Sequence, residues 1–99
     1  MTRTIAVDRY VFDVLMRDLV GHDRAPSAFF VYLWLWRQSR GEGRKTVGAS
    51  LQTIATETGL SKSSVQNGVR RLVDRGFLVV RRDSPTTAPI YEVREPWRR

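Results

Sequence analysis

The sequence predicts an α+β fold: three to four helices closed by a C-terminal β-hairpin. Two patterns and one bulk property carry that prediction. Between residues 8 and 75, apolar side chains recur at helical spacing in blocks bounded by capping residues and glycines. From residue 77 the pattern changes to two short β-type runs, 77–82 and 90–94, flanking the loop Asp83-Ser84-Pro85-Thr86-Thr87-Ala88-Pro89. The chain has 99 residues, 41% of them hydrophobic, which suits one packed core and not two. A single domain over 1–99 is expected, with an arm and first helix in 1–24, the core of the fold in 25–94 and a tail at 95–99.

Taken in order, residues 1–7 read as a frayed or extended arm. Val11, Leu15 and Leu19, with Val14 beside them, predict a helix over 8–20 that Asp8 caps and Gly21 stops. Tyr10-Val11-Phe12 would also suit a strand. After a polar loop, Pro26 sits in the first turn of a helix over 27–40 that ends at Gly41. That helix is apolar nearly all round: Phe29, Leu33 and Trp36 share one side, while Phe30 and Trp34 face away from Tyr32 and Leu35. Such a helix is covered on more than one side, either by the rest of its own chain or by a second copy. A homodimer through the aromatic residues of 27–40 is therefore one expectation. Residues 41–45 form a polar turn, and Thr46-Val47 a very short strand. Ser50 then caps a helix over 51–58, and Ser61 caps another over 62–75, which stops at Gly76.

Several function classes are disfavoured by composition. No apolar run approaches the ~20 residues of a membrane span; the longest is Ala28 to Trp36. No apolar block or small-residue cleavage site follows Arg3 and Arg9, so secretion is not indicated. Cysteine is absent, which removes disulfides, thiolate chemistry and cysteine zinc sites and points to the cytoplasm. His22, the single histidine, lies beside Asp23 but has no second histidine or cysteine to complete a metal site or a catalytic pair. Gly41-Glu42-Gly43-Arg44 lacks the phosphate-loop pattern. Neither an enzyme, a cofactor nor a small-molecule ligand is expected. Seventeen basic residues against ten acidic ones give a net charge of +7, and a chain this basic is drawn to polyanions.

The informative stretch is 51–72. Ala55 is small enough for close approach of two helices. Gly59, four residues on, can take the positive φ that a sharp exit from a helix requires. Leu60 plugs the corner, Ser61 caps the next helix, and Val65, Val69 and Leu72 line its inner face. Ile54-Ala55-x-x-x-Gly59-Leu60-Ser61-x-x-x-Val65 resembles the helix-turn-helix of the winged-helix superfamily. The continuation Val69-Arg70-Arg71-Leu72-Val73-Asp74-Arg75-Gly76-Phe77-Leu78 is similar to the run into the wing of MarR-like, GntR-like and replication-initiator-like members. The similarity covers 25–94, with 27–40 as its first helix, and departs from the pattern at Thr58 and Gly68. Thr58 stands where an apolar residue is common. Gly68 stands on the inner side of its helix, where a bulky neighbour such as Phe30 or Trp34 is expected to pack.

The resemblance implies a winged helix-turn-helix whose helix 62–75 enters the major groove of double-stranded DNA while the hairpin 77–94 lies over backbone or minor groove. With Val65 inward, Ser63, Asn67 and Arg70 lie opposite it and Gln66 beside them. These four are the candidates for base reading, since paired amide bonds suit adenine and arginine suits guanine. Lys62, Ser64 and Arg71 at the edges, Thr53 on the preceding helix, and Arg81 and Arg82 on the wing are the candidates for phosphate contact. The two wing arginines also fit a charged edge strand that discourages aggregation. The function implied is that of a small bacterial transcriptional regulator. The alternatives are the DNA-binding module of a plasmid or phage replication initiator, and a winged helix used for protein–protein contact alone.

Overall fold

In the computed structural model, residues 3–98 are described. The N-terminal helix spans 9–22. It is followed by α1 (Pro26–Gln38), β1 (Thr46–Gly48), α2 (Leu51–Thr58), α3 (Lys62–Asp74), β2 (Leu78–Arg81) and β3 (Ile90–Val93). The α+β class and the order of elements are those read from the sequence. The strands form one antiparallel sheet in the order β1-β3-β2. Val47 faces Tyr91 on one side, and Val80 faces Tyr91 on the other.

Helix α1 is the centre of the core. It packs against the N-terminal helix, α2, α3 and β3. Its Ala28, Phe29, Val31, Tyr32, Leu35 and Trp36 are buried, while Leu33 and Trp34 are partly buried against the same cluster. The chain itself thus covers most of the helix that reads as apolar all round, and of its aromatic residues only Phe30 stays half exposed, at 50%. Most of the aromatic surplus of 27–40 is core of its own chain, with Phe30 left outside it.

The N-terminal helix buries Val11, Leu15 and Leu19, the predicted stripe, and Asp8 Oδ1 accepts the Tyr10 backbone N–H at 2.9 Å, as expected of a cap. Two features differ from the reading. The helix is wound wide: the Met16 N–H bonds to the Val11 carbonyl and the Asp23 N–H to the Asp18 carbonyl, five residues back. Gly21 does not stop it. The helix continues to His22, and Arg24, at φ +52, makes the exit.

The exit is held by Arg75, the residue that caps α3 at its C-terminus. Its guanidinium donates to Asp18 Oδ2 at 2.5 Å and to Asp23 Oδ2 at 2.6 Å and lies over the Phe77 ring. Asp18, His22 and Asp23 bring metal-ligand types of atom within 4.8 Å of one another, but the guanidinium already supplies the positive charge there. His22 bonds to Asp23 Oδ1 at 3.0 Å. The bonds from His22 and then Arg75 hold the Asp23 carboxyl below the usual carboxylate range.

Residues 3–8 form an extended arm fastened to α1, with the Trp36 indole N–H donating to the Ala6 carbonyl at 2.9 Å. The tail has no regular structure, yet its Trp97 closes the core from below. That ring stacks on Tyr10 with centroids 4.6 Å apart, meets Tyr32, Trp36 and Phe77, and donates its N–H to Asp8 Oδ2. Arg40 fastens the same end, with two bonds to the Val93 carbonyl and an ion pair to Glu95 at 3.0 Å.

Two outcomes are expected from this packing. Trp97→Ala removes a ring shared by four aromatic neighbours and should lower stability by about 2–3 kcal/mol, measured by denaturant unfolding. Asp23 holds its proton more weakly folded than unfolded. Its contribution is therefore complete above the unfolded value of about 4 and is lost as pH falls through the lower folded value. Asp23→Asn should flatten the decline of Tm on the acid side of pH ~4 and lower Tm at pH ~7, read by thermal melts across pH.

Candidate nucleic-acid interface

The corner between α2 and α3 is built as its residues predict. Gly59 sits at φ +81 and returns its N–H to the Ala55 carbonyl at 2.9 Å. Thr58, the first departure from the family pattern, has a local use. Its hydroxyl donates to the Ile54 carbonyl at 2.7 Å and accepts the Leu60 N–H at 3.3 Å, so it pairs backbone groups that the helix end leaves over. Ser61 Oγ accepts the Ser64 N–H at 3.1 Å and starts α3.

Gly68, the second departure, lies against backbone rather than a bulky side chain. A Cβ there would meet Ala28 Cα, Ala28 N and Ser27 C, each at 3.2 Å. Phe30 and Trp34 are not its neighbours at that point. Helix α3 can therefore lie directly on the first turn of α1, with Val65 and Leu72 buried beside Gly68.

That contact fixes which face of α3 looks outward. Ser63, Gln66, Asn67 and Arg70 are all exposed, as are Lys62 and Arg71. Arg70 Nη1 donates to Asn67 Oδ1 at 3.1 Å, so two of the four base-reading candidates form one unit one helical turn apart. Ser64 is half buried and its hydroxyl accepts from Ser61 Oγ at 3.0 Å, so it serves the cap. Asp74 is the only acid on α3, and it stands at the far end from the cap.

Beyond the N-terminal end of α3, the wing folds back to leave a groove of about 440 Å³. It is lined by Ser50 and Gln52 of the α2 entrance, Lys62 of α3, and Arg82, Thr86 and Thr87 of the wing. Thr53 is exposed one residue along from Gln52, its hydroxyl accepting from Ser50 at 3.0 Å. Arg82 also holds the wing in shape, because its Nη1 donates to the Pro85 and Thr87 carbonyls at 3.3 Å each. Arg81 is exposed and only loosely paired with Asp83, at 3.8 Å. Sequence reasoning assigned Ser50 to capping alone and passed over Gln52, Thr86 and Thr87. They meet across a gap between loop and helix, and no periodicity reports such a meeting.

The outward face and the groove meet at Lys62, and the groove adds the apolar Leu51, Ala88 and Pro89 to its polar lining. The polar groups of the two are amides, hydroxyls, guanidinium groups and the Lys62 ammonium, suited to base edges and phosphates. No helix among the described residues is long and apolar enough to cross a membrane. No curated protein and no solved structure matches the chain. A family model described as a helix-turn-helix domain matches residues 25–78, from the loop before α1 to the first residue of β2. That is more than half of the 99 residues, and the chain belongs to the helix-turn-helix domain family.

Proposed function

We propose that this protein binds double-stranded DNA sequence-specifically and acts as a small transcriptional regulator in the cytoplasm, as a binding protein rather than an enzyme. The observation that carries the reading is the outward face of α3. It is exposed, free of acidic side chains from Lys62 to Val73, and backed by a helix that prevents it from turning inward. In this reading α3 lies in the major groove. Ser63, Gln66, Asn67 and Arg70 read base edges there. Lys62 and Arg71, with Thr53 and the wing residues Arg81 and Arg82, hold the sugar-phosphate backbone on either side. Ser64 contributes by fixing the first turn of the helix. Two copies on a symmetric site would double the short sequence that one recognition helix can read.

The test is selection of bound sequences from random duplex DNA, followed by titration of the selected site. Asn67→Ala with Arg70→Ala should cost roughly 10–100-fold in affinity for that site and relax preference at the base pairs they face. Lys62→Ala should weaken selected and random duplexes alike and reduce the slope of log K against log salt by about one. Equal binding of selected and random duplex by parent and double variant would leave the regulatory reading without support. A winged helix used for protein contact alone would then remain.

A further inference from the structure

The apolar arc of the N-terminal helix is two residues wide, and its own domain covers half of it. Val11, Leu15 and Leu19 are buried. The residue following each of them is also large and apolar but faces solvent: Phe12 is 45% exposed, Met16 43% and Val20 37%. Spaced by four on a helix, these three form a continuous stripe. The stripe is seated on α1, where the Phe12 ring meets the buried Phe29 edge-on at 6.3 Å. An exposed stripe of phenylalanine, methionine and valine on one helix face marks a contact site more often than isolated exposed apolar residues do.

We infer that this stripe is where a second copy of the chain docks, with the two N-terminal helices antiparallel about a two-fold axis. The proposal rests on charge as well as on apolar area. The chain carries +7, and the face of α3 concentrates positive groups, so most approaches of two copies are repulsive. Over 9–22 the formal charges cancel, Arg9 and Arg17 against Asp13 and Asp18. Asp18 is held by Arg75. Asp13 meets Arg9 only loosely, at 3.6 Å and in solvent, so it can exchange that pair for an arginine of the second copy. Asp13 and Arg17 flank the stripe four residues apart, and both are exposed. An axis passing beside Leu15 and Met16 brings each Arg17 opposite the partner's Asp13, so one surface complements itself twice, as a two-fold contact requires. The same axis sets Met16 close to its symmetry mate at the centre of the apolar patch.

The inference rests on the regulatory reading only for its purpose, and the experiment separates the two. The full chain is measured by light scattering and sedimentation at about 100 μM, and a mass twice the 11.4 kDa chain is expected. Phe12→Glu and Met16→Glu, at exposed positions, should keep the parent's helical circular dichroism. Each should weaken self-association by at least roughly tenfold, because each places a charge within an apolar contact. Asp13→Arg should weaken it as well, and adding Arg17→Asp should restore it. On duplexes carrying one or two copies of the selected site, Met16→Glu should retain single-site binding and lose the advantage of the paired sites. A parent that is monomeric throughout overturns the proposal. So does a dimer that persists in both glutamate variants. A dimer that Met16→Glu dissociates, in a chain that binds no DNA, supports the interface and counts against the regulatory reading alone.

Discussion

The position of the recognition helix depends on one close approach. At Gly68, α3 lies on the backbone of Ser27 and Ala28, near enough that a single added carbon would stand 3.2 Å from three backbone atoms. Glycine in the middle of a helix costs about 1 kcal/mol against alanine. Here that cost is offset by packing that a side chain would prevent. With no side chain between the helices, Val65 and Leu72 reach the core on either side of the contact. The polar face is then left with nothing to cover it. The Gly59 corner sets the angle between α2 and α3, and the Gly68 contact sets the depth. Together they determine which side chains of α3 face outward.

The elements outside the matched region brace that geometry from two sides. At one end Arg75 ties the last turn of α3 to Asp18 and Asp23 of the N-terminal helix. The carboxylates hold the guanidinium in its charged form, their bonds raising its pKa further. At the other end the aromatic group of Tyr10, Tyr32, Trp36, Phe77 and Trp97 gathers chain from 10 to 97 around one packed region. Burial raises the pKa of Tyr32 above the normal range, and its hydroxyl donates to the Arg94 carbonyl at 2.7 Å, so its phenol stays protonated and anchors the chain just past β3. Recognition helix and wing are thus carried on a frame whose first and last segments are packed against each other.

Much of the frame could be read in the sequence because its signals are local. Capping serines at Ser50 and Ser61, the Ala55–Gly59–Leu60 corner and the stripes of α2 and α3 each act within a few residues of themselves. The outward set on α3 was legible for the same reason: one inward valine fixes the phase of the whole helix. What escaped was tertiary. Trp97 lies in a tail without periodicity, and its aromatic partners stand 20 to 87 positions earlier in the chain, at Phe77, Trp36, Tyr32 and Tyr10. Arg75 reads as a basic residue at a helix end until Asp18 and Asp23 are placed beside it. The wide winding of the N-terminal helix left the buried stripe where four-residue spacing put it, but carried the helix past Gly21. The apolar surplus of α1 was visible, but periodicity alone does not distinguish cover by the same chain from cover by another.

The Asn67–Arg70 pair bears on how affinity and specificity would divide under the proposed reading. Asn67 gives its carbonyl oxygen to Arg70, so the free face of the pair presents amide and guanidinium donors together. Guanine offers two acceptors in the major groove, whereas reading adenine through Asn67 requires that oxygen as an acceptor. The pair as it stands therefore favours guanine opposite Arg70. An adenine contact through Asn67 would share that oxygen, whose second lone pair can accept the adenine amine while the first stays with Arg70. Under the proposed reading the side chains around the groove face no such choice, because ammonium, guanidinium, amide and hydroxyl groups suit any phosphate. Discrimination under that reading comes from the outward face of α3, where Ser63 and Gln66 stand beside the Asn67–Arg70 pair, while attraction is spread over α2, the start of α3 and the wing.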